Sequence, residues 1–252
     1  MRWPALLLLA LAAPLTAQPR LVTDLSQSRI DISYRFAGAE LLIFGAIQYP
    51  GGRAPADPPG IAVVLRGPVE PLTIRQKERV AGIWVNTQAL RFESAPGFYA
   101  VATTKPVRDL LDERNAAIHE IGLKHLQLSP ATAADPETTT RFQDGLLNLR
   151  IRQNLYQEHP LGVQVTDNVL YRARITIPSA VPVGNYRVEI HLIDDGQVRA
   201  HSSAPVIIDK SGFERELFVL AHKRPLLYGL MAVALAVGLG WLAGTVTRRW
   251  TG

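Results

Sequence analysis

The sequence predicts a mainly β protein with a helical insertion: an immunoglobulin-like β-sandwich as an exported body, an α-helical hairpin, and one C-terminal transmembrane helix. Three observations predict it. Side chains alternate with period two from Arg29 to Phe36, from Tyr171 to Ile177 and from Tyr186 to Leu192, the pattern of half-buried strands. Between these stretches, from Val107 to Tyr156, apolar residues recur at helical spacing. Near the C-terminus, Leu226 to Val246 runs 21 residues without a charge. At 1.5 Å per residue that is long enough for a hydrocarbon core of ~30 Å.

In chain order, residues 1–17 resemble a signal peptide: Arg2, an apolar run from Pro4 to Ala13, then Pro14-Leu15-Thr16-Ala17. Cleavage after Ala13 or Ala17 and retention as an uncleaved anchor all fit this pattern. Residues 18–104 form the N-terminal β portion. Its strands are expected at Arg29 to Phe36, Leu41 to Ile47, Ile61 to Arg66, Leu72 to Gln76, Val80 to Asn86, Leu90 to Glu93 and Phe98 to Thr103. Short strands at close spacing, broken by Gly, Pro and polar residues, argue for a sandwich.

Residues 105–159 form the helical hairpin. Its first helix carries Val107, Leu110, Leu111, Ile118, Ile121 and Leu128; its second opens at Asp135-Pro136-Glu137, a capping aspartate followed by a first-turn proline. Alternation returns in the C-terminal β portion, 160–210, with a turn at Asp194-Asp195-Gly196. A juxtamembrane segment, 211–225, the expected transmembrane helix, 226–246, and a tail, 247–252, complete the chain.

Zero cysteines among 252 residues exclude a disulfide framework, a cysteine nucleophile and Cys-ligated metals. The net charge of +5 suggests an anionic partner until it is located. From Gln18 to His222, 22 basic residues balance 22 acidic ones, and the excess is Arg2, Lys223, Arg224, Arg248 and Arg249. All five lie at the termini and act as topology or anchor residues, so no nucleic-acid partner is expected. The expected location is the bacterial inner membrane, single-pass, with the body in the periplasm and a short cytosolic C-terminus.

Leu21 to Ile47 (LVTDLSQSRIDISYRFAGAELLIFGAI), Arg75 to Asn86 (RQKERVAGIWVN) and Phe98 to Pro106 (FYAVATTKP) together resemble the Alph_Pro_TM family of alphaproteobacterial transmembrane proteins of unknown function. The likeness covers nearly the whole chain and supplies no catalytic or ligand residues. It implies a neighbour, because members are often encoded beside permeases of the sulfite-exporter type.

No nucleophile elbow, Walker A, H-E-x-x-H or calcium-loop pattern occurs, so no catalytic, cofactor-binding or metal residues are assigned and no cofactor is expected. His119 and His125, six apart, fall on different faces of one helix. A two-residue turn at Asp195-Gly196 would set Ala200, not His201, opposite His191. Asp109, Asp112, Glu113 and Glu120 alternate with Arg108, Arg114 and Lys124 as a solvated helix face. Arg75, Lys77 and Arg79 form a basic stripe on one strand, suited to phospholipid heads, an anion or plain solvent. Ala232, Ala236, Gly240 and Gly244 recur every four residues, a ladder of small side chains suited to helix–helix packing. The expected function is a non-enzymatic accessory or interaction protein, with the lipid bilayer and either a permease or a second copy as partners. The alternative is a periplasmic ectodomain that binds or senses a small solute.

Overall fold

A computed structural model describes residues 18–32, 37–132, 134–210 and 220–250, without the side chains of 210 and 242–250. The signal segment and 211–219 lie outside the described residues, as do 33–36 of the first expected strand. The strands are β1 (Arg20–Leu25), β2 (Arg29–Ile32), β3 (Ala39–Gln48), β4 (Gly60–Arg66), β5 (Val69–Val80), β6 (Ile83–Pro96), β7 (Tyr99–Thr103) and β8 (Ser129–Pro130), then β9 (Tyr156–Pro160), β10 (Val163–Thr166), β11 (Leu170–Ile177), β12 (Gly184–Asp194) and β13 (Gln197–Lys210). The helices are α1 (Val107–Leu110), α2 (Glu113–Ile118), α3 (Pro136–Arg152) and α4 (Pro225–Trp250).

Two sheets face each other, one ordered β1-β3-β11-β10 and the other β2-β13-β12-β4-β7-β9. Strands from before and after the helical region share both, because β3 pairs with β11 and β4 with β12. Alternation explains the packing. Tyr171, Ala173, Ile175 and Ile177 of β11 are buried while the residues between them are exposed. With Leu41 and Ile43 of β3 they meet Leu65, Val188 and Ile190 of the other sheet in one core. β4 is apolar on both faces and buried on both, since the helical region covers its outer side. The immunoglobulin-like expectation holds for the facing layers only. β13 pairs with β2 in parallel and β7 with β9 in parallel, whereas an immunoglobulin sandwich is antiparallel. A third sheet, β5-β6-β8, stands apart and packs its own small core, Leu90, Phe92, Leu128, Phe142 and Leu146, against α3.

The helical region differs from a two-helix hairpin. The expected first helix breaks at Leu111, because the Asp112 side chain accepts a hydrogen bond from Asn115 N and caps a new helix. α2 then ends at His119, where Glu120 and Gly122 take positive φ of 49° and 101°. α3 forms as expected, capped by Asp135, but stops at Arg152, and Tyr156 belongs to β9. The expected strand over Val80 to Asn86 is two strand ends and a turn, Ala81-Gly82, with φ of 50° and 85°.

The expected transmembrane helix needs correction. A helix forms at Pro225–Trp250, yet among the described residues no helix is long and apolar enough to cross a membrane. The part whose side chains are described, Pro225 to Trp241, is 17 residues, about 25 Å at the helical rise against a ~30 Å core. The single-pass arrangement built on residues 226–246 therefore does not stand. Ala232, Ala236 and Gly240 are exposed on α4, as are Lys223 and Arg224 before it. Gly244, Arg248 and Arg249 lie on its final turns, beyond the described side chains.

Candidate functional site

The outer face of the larger sheet carries Arg66 at the end of β4 and Glu189 and His191 on β12, which the register sets side by side: Arg66 opposite Arg187, Val64 opposite Glu189, Ala62 opposite His191. β13 adds His201, directly opposite His191. The register expected from the Asp195-Gly196 turn would have put Ala200 there. A bulge between Leu192 and Ile193 adds one residue on β13 and moves every later partner by one. The turn itself forms as expected, with positive φ at Asp195 and Gly196.

The fourth wall is the end of α2. Arg66 holds it: its guanidinium donates to the carbonyl of His119 at 2.7 Å and pairs with the Glu120 carboxylate. Its Nε lies 3.3 Å from Glu189 Oε2, an ion-pair contact too poorly aligned to count as a hydrogen bond. Below, the Tyr99 hydroxyl donates to Glu120 O at 2.8 Å and accepts from Gly122 N at 2.9 Å. Burial pushes the Tyr99 hydroxyl far above its usual range, so it stays protonated. The left-handed Glu120 is thus pinned by a cation on one side and a phenol on the other, which sets His119 over the sheet.

Three imidazoles result in a row, with centroids 5.4 Å apart for His119 and His191 and 6.4 Å for His191 and His201. With Arg66, Ile118, Glu120 and Glu189 they line a cleft of about 430 Å³. His191 forms its floor, only 5% exposed, and neither ring nitrogen has a hydrogen-bond partner among the described residues. Burial, reinforced by His119, His201 and Arg66, pushes its pKa down to about 3. The His191 and His201 rings lie near parallel, at 23°. No group of three or more His, Cys, Asp or Glu among the described residues is placed to hold a metal ion. The arrangement can exchange hydrogen bonds with a small ligand. It offers no hydroxyl or thiol nucleophile, and both carboxylates already face Arg66.

Of the residues singled out from sequence, the structure brings His119, His191, His201 and Glu120 together here. It leaves His125 in a short turn after α2 and His159 on β9, where it bonds Gln157. Arg66 and Glu189 had no sequence signal beyond ending a strand and alternating on one. A larger cleft of about 700 Å³ lies under the Pro55 to Gly60 loop, but it holds no buried unpaired polar group among the described residues.

Comparison with curated proteins returns no match. Residues 20–249 match the family described as "Putative transmembrane protein (Alph_Pro_TM)". The match covers most of the chain and all three sheets, so the protein belongs to the Alph_Pro_TM family and shares its membrane association.

Proposed function

We propose that the protein is a non-enzymatic, membrane-associated solute-binding protein of the bacterial envelope, with its β-rich body in the periplasm and the histidine cleft as ligand site. The observation that carries this reading is His191, buried and, among the described residues, unpaired on both ring nitrogens. A buried polar group without a partner costs about 1–3 kcal/mol, and a ligand that supplies the partner recovers that cost on binding. Counting the imidazoles as neutral, Arg66, Glu120 and Glu189 leave the lining with one net negative charge, so a solute with donors or a positive charge fits better than an anion.

Thermal unfolding of the purified full chain against putrescine, guanidinium, zinc chloride, sulfate and sulfite tests it. A bound ligand at a hundred times its Kd stabilises by about 2.7 kcal/mol. The amine or guanidinium arm should raise Tm in wild type and not in His191→Leu. No shift in any arm, or an equal shift in the variant, overturns the reading. Placement in the periplasm is supported by the signal-like residues 1–17. It is checked with Gly51→Cys in this cysteine-free chain, which should react with an impermeant maleimide once the outer membrane is permeabilised. Reaction only after inner-membrane lysis contradicts it.

A second reading, an accessory to an integral-membrane partner such as a sulfite-exporter-type permease or a second copy, is favoured by α4. Its described apolar side chains, from Leu226 to Trp241, are exposed and cover nothing among the described residues. Photocrosslinking from Ala236 in native membranes should capture a permease or a dimer; capture of neither removes this reading.

A further inference from the structure

β5 and β6 form a two-stranded ribbon that outruns its support. Its root is packed by Leu90, Phe92, Phe142 and Leu146, but residues 77–80 of β5 and 83–84 of β6 are exposed on both faces. Leu90 pairs with Ile74, six residues from the end of β5, so the free part is about 20 Å long at 3.3 Å per residue. A bare two-stranded ribbon of this kind is marginal alone in water.

The chemistry of the free part is polarised. Arg79 pairs with Trp84 and Lys77 with Asn86, and cross-strand partners share a face. Arg75 follows two residues on, so one face carries Arg75, Lys77, Arg79 and Trp84. Glu78 points to the other face, where Gln76 donates to it. The turn at Ala81-Gly82 is flanked by Val80 (50% exposed), Ile83 (65%) and Trp84 (70%). Large apolar side chains at the tip with cations behind them are the arrangement of an interfacial anchor, in which Trp favours the headgroup level.

We propose that this tip docks on an anionic bilayer surface, Val80, Ile83 and Trp84 entering the headgroup–acyl boundary, Arg79 meeting lipid phosphates and Lys77 and Arg75 attracted to them from outside. The distances agree. Arg79, Lys77 and Arg75 stand three, five and seven residues from Gly82, roughly 10, 17 and 23 Å along the ribbon. With the tip about 5–10 Å deep, Arg79 reaches the phosphates. Lys77 and then Arg75 follow outside, within one to two Debye lengths of about 8 Å. Membership of a membrane-associated family places a bilayer near the body, and the three cations complement anionic lipid. This docking is independent of the histidine cleft.

The chain has no cysteine, so Ile83→Cys takes a single environment-sensitive fluorophore. Full chain is reconstituted in phosphatidylglycerol or phosphatidylcholine vesicles containing headgroup-level nitroxide lipid, with Gly51→Cys as the control site. The label at 83 should be blue-shifted and quenched in phosphatidylglycerol only. The signal should be lost in the Arg75→Glu/Lys77→Glu/Arg79→Glu variant and reduced in 0.5 M salt. A cation at the surface is worth about five-fold and the effect falls off within a Debye length, so losing Arg79 alone lowers tip occupancy about five-fold, and reversing Lys77 and Arg75 as well lowers it further. Wild type in salt covers the case of a misfolded triple variant. Quenching equal at 83 and 51, quenching equal in both lipids, quenching unmoved by salt or by charge reversal, or a blue shift without nitroxide quenching, which marks a protein partner, would each overturn the proposal.

Discussion

Lowering the pH from 7.5 to 5 should destabilise the body by about 2 kcal/mol through His191 alone. The imidazole has its ordinary pKa of 6.5 when unfolded and about 3 when folded, chiefly because burial disfavours the charged ring. Below pH 6.5 the unfolded chain binds a proton that the folded chain refuses. The His191 contribution to stability is therefore complete above pH 6.5. It falls by up to about 1.4 kcal/mol per pH unit as pH drops towards 3, which gives about 2 kcal/mol by pH 5. Carboxylates titrate in the same window, so the informative quantity is the difference between wild type and His191→Leu. Leucine fills similar space without polar atoms, so at pH 7.5 the replacement is neutral or stabilising and leaves the pH-dependent difference intact. Urea unfolding of both proteins at the two pH values, followed by near-UV circular dichroism, should show wild type losing about 2 kcal/mol more than the variant. A difference below ~0.5 kcal/mol would refute the reasoning, since it would mean that the folded ring protonates as readily as the unfolded one.

Other changes test the supports of the cleft and the fold. Tyr99→Phe removes a buried hydroxyl that serves Glu120 O and Gly122 N; urea unfolding should register a loss of about 1–3 kcal/mol, and a loss under ~0.5 contradicts the clamp on residue 120. Gly45→Ala would bring a Cβ within 2.1 Å of Val22 O and 2.4 Å of the Tyr171 hydroxyl. The expected result is a cost of about 1–3 kcal/mol and exposure of Tyr171 to solvent; an unchanged urea midpoint speaks against the β1-β3-β11 packing. Phe142→Ala empties the small core under the ribbon at about 3–5 kcal/mol. Hydrogen exchange should accelerate in β5 and β6 more than in β11 and β12, whereas uniform acceleration would mean that the ribbon has no separate core.

The sandwich was legible where burial is one-sided. In β11 and β12 a solvated face forces alternation, and Tyr171 to Ile177 read correctly residue by residue. The cleft was not legible, because its residues meet through events that leave little mark on sequence. One extra residue on β13 decides whether His201 or Ala200 faces His191. Arg66 finds Glu120 across 54 positions, and the left-handed backbone at Glu120 is imposed by those partners. The turn at residues 81 and 82 was hidden because alanine is not a turn signal and Val80, Ile83, Trp84 and Val85 look like one continuous strand. The first helix misled because Val107, Leu110 and Leu111 keep helical spacing across a break that only the Asp112 cap reveals. At the C-terminus, 21 uncharged residues predicted a span, yet the described helix falls short of one.

The claim that the histidine cleft is a ligand site is tested most directly by thermal unfolding of the full chain and of His191→Leu, each with and without millimolar putrescine or guanidinium at pH 7.5. The account predicts a rise in Tm for wild type and none for the variant. Equal behaviour of the two proteins in both additives would contradict it.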